Sequence, residues 1–128
     1  MKLVADVSAI IPYLLYQDKE TTELFSGEDK LFAPMLYLSE SGNTLLKYLN
    51  KNLITFQEVN RLLNQSKVII SQFIYLNDYS EDIIRLASQY NLTFYDSEYL
   101  FLTIAIEGKL ISRDKKLNEV AQKLGVKF

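Results

Sequence analysis

The sequence predicts an α/β fold built on a parallel sheet of short strands. Short apolar runs alternate with longer helical patterns, as parallel α/β architectures require. Three of those runs stop at an aspartate, the edge at which open parallel sheets place their ligand sites. With 128 residues, 48% of them hydrophobic, the chain can build a core of its own, and a single domain over 1–128 is expected.

Residues 2 to 6 read as a buried strand leading into a helix from Ser8 to Tyr16, with Pro12 in its first turn. Asp18 is placed to cap a second helix running to Ser26, and Gly27 to end it. Lys30 to Ala33 is the next strand, closed by Pro34. Residues 35 to 50 carry a leucine stripe at Leu38, Leu45, Leu46 and Leu49 and predict a long helix. Thr55-x-x-Glu58 has the form of a capping box, with Ile54 and Val59 as its hydrophobic staple.

Val68 to Leu76 is apolar without a decisive period. Ser80 is placed to cap a helix to about Tyr90, with Tyr79 and Ile84 as its staple. Thr93-Phe94-Tyr95 reads as a short apolar approach to Asp96, with a helix from Ser97 to Glu107. Leu110-Ile111 forms a brief strand, Leu117 to Leu124 a last helix, and Val126 to Phe128 a terminal strand.

The chain holds no cysteine and no histidine. That excludes disulfides, thiol catalysis, thiolate zinc sites and the Ser-His-Asp triad. Chemistry, if present, rests on carboxylates, hydroxyls, lysines and hard cations. A net charge of −2 excludes a broad basic field for coating nucleic acid, though not a local basic rim. No apolar run reaches the roughly 18–20 residues of a membrane-spanning helix. The early Asp6 is unlike a signal peptide, so a cytoplasmic location and no membrane partner are expected.

Four acids stand out: Asp6, Glu40, Asp96 and Asp114. Each has an ordinary reading: a helix cap for Asp96, a turn for Asp114, a solvated helix position for Glu40. Asp6 fits its strand end least well. Taken together, four carboxylates at one sheet edge repel strongly unless a cation joins them. Oxygen-only ligands select Mg²⁺ or Mn²⁺, which would activate water for phosphodiester hydrolysis. Asn43 lies three residues after Glu40, and Ser8 and Ser112 lie two residues from Asp6 and Asp114. These three are candidate supporting residues, with helix-face, cap and turn readings as their ordinary alternatives. Lys109, Arg113, Lys115 and Lys116 suggest a basic rim around Asp114. Tyr99 and Thr103 share a face with Asp96, and Tyr99 reads as core packing.

Leu3-Val4-Ala5-Asp6-Val7-Ser8, Ala33-Pro34 with Glu40 and Asn43, Phe94-Tyr95-Asp96-Ser97-Glu98-Tyr99, and Leu110 to Leu117 occur in this order. In that order and spacing the sequence resembles the PIN-domain nucleases, and more narrowly the VapC-type toxins of toxin–antitoxin pairs. The resemblance implies a PIN-like three-layer α/β/α fold with a short-stranded central parallel sheet. It implies a Mg²⁺ or Mn²⁺ site made by Asp6, Glu40, Asp96 and Asp114, and endonucleolytic cleavage of RNA. It also implies a cognate antitoxin that inserts a segment into the acidic site, and a homodimer. Arg113 departs from the pattern, where a small residue is common.

The alternatives are an RNA-processing PIN nuclease outside a toxin pair and a catalytically inert PIN-like binding module. A phosphotransferase of the haloacid dehalogenase type needs a second acid two residues after the first, where this chain has Ser8. A receiver domain needs an acidic pair at the first strand's end, and that pair is missing.

Overall fold

Leu3, Val4 and Ala5 are all buried, because the strand that carries them is covered on both faces. In the computed structural model, which describes residues 1–17, 25, 27 and 29–128, this strand is β1 (Lys2–Ala5). The chain continues through α1 (Val7–Tyr16), β2 (Lys30–Pro34), α2 (Leu36–Asn50) and α3 (Phe56–Ile69). Then come β3 (Gln72–Ile74), a 3₁₀ turn (Asn77–Tyr79), α4 (Ser80–Tyr90), α5 (Phe94–Ala105), β4 (Lys109–Ile111) and α6 (Lys115–Lys123). The four strands form one parallel sheet in the order β3-β2-β1-β4.

Alternation along each strand divides the core in two. Leu3, Ala5, Leu31, Ala33 and Ile111 face a core closed by α1, α2 and α3, with Ile10, Leu45 and Leu62 at its centre. Val4, Phe32 and Leu110 face the other way, onto Ile83, Leu100, Leu102, Leu117 and Val120 from α4, α5 and α6. This period-2 split gives the three-layer α/β/α arrangement that the sequence predicts. The Tyr37 hydroxyl is buried and lies 2.8 Å from Ser66 Oγ, tying α2 to α3 without an unsatisfied polar group.

Register sets where the site falls. Ala5 pairs with Ile111, and the Asp6 amide donates to the Ile111 carbonyl at 3.3 Å. β1 and its neighbour β4 therefore end level, and Asp6 and Ser112 leave the sheet side by side. At the opposite end Gly108 packs against β1: a Cβ there would lie 2.8 Å from the Lys2 carbonyl oxygen.

Several local expectations are corrected. Thr93–Tyr95 is not a strand-like approach: Thr93 caps α5, accepting from the Asp96 amide at 3.0 Å, and Phe94 and Tyr95 are already helical. Asp6 rather than Ser8 caps α1, and Pro12 lies inside that helix. Ser80 is helical and donates to the Asn77 carbonyl at 2.8 Å instead of capping. Tyr79 packs on Phe101, with ring centroids 5.4 Å apart, while Ile84 is exposed.

The buried face of α2 is Tyr37, Ser41 and Leu45, and Leu46 is exposed. Val68 to Leu76 divides between the end of α3 and strand β3. Val126 to Phe128 contributes one bridge, Leu110 with Lys127, in place of a strand. The Thr55–Glu58 capping box forms in full. The expected helix from Asp18 to Ser26 lies outside the described residues. Among the described residues no helix is long and apolar enough to cross a membrane.

Candidate active site

Asp6, Glu40, Asp96 and Asp114 line one cleft of about 410 Å³ at the carboxyl edge of the sheet. Four different elements deliver them. Asp6 is the N-cap of α1, directly after β1, and Asp114 is the N-cap of α6, three residues after the end of β4. Asp96 sits in the first turn of α5. Three of the four acids thus meet the positive end of a helix, which favours their anionic form. Glu40 lies within α2 and has no such help. The Tyr99 hydroxyl donates to its Oε1 at 2.6 Å instead.

Asp6 is the most deeply placed acid, 6% exposed. Its Oδ1 accepts from Ser8 Oγ at 2.6 Å and from the Ala9 amide at 3.2 Å, and its Oδ2 accepts from Ser112 Oγ at 2.5 Å. Both hydroxyls are themselves fixed. Ser8 Oγ accepts from the Arg113 amide at 2.9 Å, and Ser112 Oγ accepts from the Asp114 amide at 3.0 Å. Each serine therefore has one acceptor role on the backbone and its one proton directed at Asp6, which holds that carboxylate in a single orientation. The Asn118 side-chain amide donates to the Ser112 carbonyl at 2.8 Å, steadying the turn from behind.

The electrostatics follow from burial and proximity. Burial first, then the charge of Asp114, pushes the Asp6 carboxyl up, against the pull of its three donors. Burial, Asp6 and Asp96 push Glu40 up, and the Tyr99 donor opposes them. Burial, Asp114 and Asp6 push Asp96 up, with Thr93 and Lys116 acting the other way. Asp6, Glu40 and Asp96 are thus each pushed up in part by the charge of another acid of the cleft. Glu98, buried on α5, is also pushed up, by burial and by Glu40.

All four acids predicted as site residues are thus brought together, and Ser8 and Ser112 support one of them. Asn43 is exposed on α2 and is not part of the cleft lining. The helix face turned to the cleft runs Glu40, Thr44, Tyr48, and those last two residues were not foreseen. Their i, i+4, i+8 spacing is the signal that marks them. Tyr99, expected as packing, is both buried and bonded to Glu40. The basic rim is smaller than expected. Lys109 lies at the far end of β4, its Nζ donating to the Gly125 carbonyl at 2.6 Å. Lys116 does act on Asp96.

The three-layer fold and the acid-lined cleft at its strand ends define a PIN-like protein. Over 126 residues the chain is 31% identical to Ribonuclease VapC3 of Pyrobaculum aerophilum, a match spanning 93% of this chain and 94% of that protein. Over 118 residues it is 26% identical to Exonuclease VapC9 of the same organism, spanning 91% of this chain and 84% of that protein. The chain belongs to the VapC family of PIN-domain proteins. The crystal structure of PAE2754 from Pyrobaculum aerophilum superposes with a TM-score of 0.73 at 20% identity, covering 93% of this chain and 78% of that one, which supports the fold. No family model matches the chain.

Proposed function

We propose that this chain is a divalent-cation-dependent endoribonuclease and the toxin of a toxin–antitoxin pair. The observation that carries the reading is the convergence of Asp6, Glu40, Asp96 and Asp114 on one cleft from four separate elements. The names of its relatives, Ribonuclease VapC3 and Exonuclease VapC9, support nuclease chemistry.

The donor chemistry fits Mg²⁺ or Mn²⁺, since only oxygen atoms are offered. Among the described residues, no three acidic side chains are gathered tightly enough to form a ready-made ion cage. Mg²⁺ does not require one: it keeps several waters and takes one or two carboxylates plus substrate phosphate. Asp6, Asp96 and Asp114 are assigned to hold the ion, with Glu40 a ligand or the base that orients water. When bound, the ion neutralises these carboxylates and the phosphate and acidifies the attacking water.

The protein's own residues do the rest. Ser8 and Ser112 hold the Asp6 carboxylate still. Glu40, kept in place by Tyr99, accepts the proton of the water that attacks phosphorus, and its raised pKa suits that task. Lys116 meets the backbone at the cleft's edge. An antitoxin segment that places a cationic side chain among the same acids would relieve their repulsion and block the site. A homodimer belongs to the same reading.

The test is incubation of end-labelled RNA with purified protein and Mn²⁺, against an EDTA control. Internal cuts that need Mn²⁺ support the reading. Release of single nucleotides from an end favours the exonuclease alternative that the name of VapC9 suggests, and no cleavage refutes both. Growth arrest on expression, relieved by a co-expressed neighbouring gene, supports the toxin assignment.

A further inference from the structure

A second cavity opens beside the acidic cleft, and Tyr48 lines both. Its other walls are Leu15, Tyr16, Leu53, Ile54 and Glu58, enclosing about 380 Å³. The two spaces differ in chemistry. The first has four carboxylates in its wall, the second two aromatic rings, three aliphatic side chains and a single carboxylate, that of Glu58. A single RNA strand has the same alternation of charged phosphate and flat, apolar-faced base.

We propose that this second cavity is a nucleobase subsite, in which one unpaired base stacks on Tyr48 while the strand crosses the acids. The inference rests on the RNA-cleavage reading above. Tyr48 packs against the α1–α3 core and is only partly buried, so its ring is held with one side left to the two cavities. Tyr16 and Leu53 are 75% and 66% exposed at the mouth, apolar surface that a base would cover.

Glu58 in the wall repels phosphate, so the base enters and the backbone stays out. Tyr48 lies eight residues beyond Glu40 on the same face of α2, about 12 Å along the helix axis. Even at a stacked rise of about 3.4 Å per nucleotide, that places the bound base within about four nucleotides of the cut. Base stacking on tyrosine is tolerant of sequence, so this subsite adds affinity without selecting one base.

The experiment is steady-state cleavage of a short RNA and of a series carrying one abasic position moved along the strand. For the parent protein, KM is expected to rise roughly tenfold at one abasic position within about four nucleotides of the cut, with kcat little changed. Tyr48→Ala should show that raised KM on intact RNA and no further loss on the abasic strand, and Tyr48→Phe should recover the parent KM. If the parent cuts every abasic strand at its intact KM, the subsite is refuted and the cavity's occupant is to be sought on a protein partner. A Tyr48→Ala loss in kcat alone, or one that still discriminates the abasic strand, refutes it equally. Failure of the parent to cut any RNA is a different result, which removes the nuclease reading and this inference with it.

Discussion

The Tyr99 hydroxyl donates to Glu40 Oε1 at 2.6 Å, joining α5 to α2 across the floor of the acidic cleft. Tyr99 is 1% exposed, and burial together with the Glu40 charge holds its phenol far above the ordinary range. The hydroxyl is therefore a permanent donor, and it fixes the one acid that lacks a helix N-terminus. Tyr99→Phe removes only that donor. Partners of this kind typically contribute 10- to 100-fold to metal affinity. Calorimetric titration with Mn²⁺ should show a loss in that range, with a circular dichroism spectrum like the parent's. An unchanged affinity would mean that Glu40 is not held for a cation.

Ser112 is the counterpart for Asp6. Ser112→Ala leaves Asp6 Oδ2 without its donor and the Asp114 amide without its acceptor. RNA cleavage should fall at least tenfold, and Ser112→Thr, which keeps the hydroxyl, should restore most of it. If alanine and threonine behave alike, the hydroxyl has no part in the site.

The acids also set a stability trade. Asp6, Glu40 and Asp96 all have carboxyls pushed above their ordinary values of 3.8 or 4.5, burial being the largest cause. An acid whose folded pKa is raised holds its proton more tightly in the folded state. Its contribution favours folding below the unfolded pKa and is lost as pH climbs through the folded one. At neutral pH, without a cation, all three acids therefore oppose folding. Asp96→Asn should raise the Tm by a few degrees, on the scale of about 4 °C per kcal/mol for a domain of this size. Its partial exposure keeps the gain modest. Mn²⁺ should raise the parent's Tm more than the variant's. A lower Tm for Asp96→Asn would contradict the account of repulsion.

How much of this was legible in the sequence can be read from particular residues. Asp6 and Asp114 were found because each follows an apolar run, and the sheet register does place both runs at one edge. Asp96 was found by the same reasoning for a reason that does not hold. Phe94 and Tyr95 belong to the helix, and Thr93-x-x-Asp96 is the start signal, like the one recognised at Thr55-x-x-Glu58. A short aromatic pair before an acid is equally consistent with a strand end, and periodicity cannot separate the two over three residues. Thr44 and Tyr48 share the Glu40 helix face by local spacing, whereas the Tyr99–Glu40 bond depends on how α2 and α5 face each other. No local pattern encodes that relation.

Gly108 stands just before β4, against the first residue of β1. Its place is fixed by the Lys2 carbonyl oxygen, 2.8 Å from where a Cβ would stand. Because that neighbour is backbone of the central strand, Gly108→Ala has to shift β4 against β1. A loss of about 1–3 kcal/mol is expected in urea denaturation. No loss would mean that β4 can move away freely, and with it Asp114.

The central claim is that four acids delivered by four elements make one cation-dependent site for cutting RNA. It is tested most directly by the rate of RNA cleavage in Mn²⁺ for the parent, Asp6→Asn and Asp96→Asn, each confirmed folded. The account requires cleavage by the parent that EDTA abolishes, and a loss of at least a hundredfold in both variants. Variants that cut as fast as the parent would contradict it.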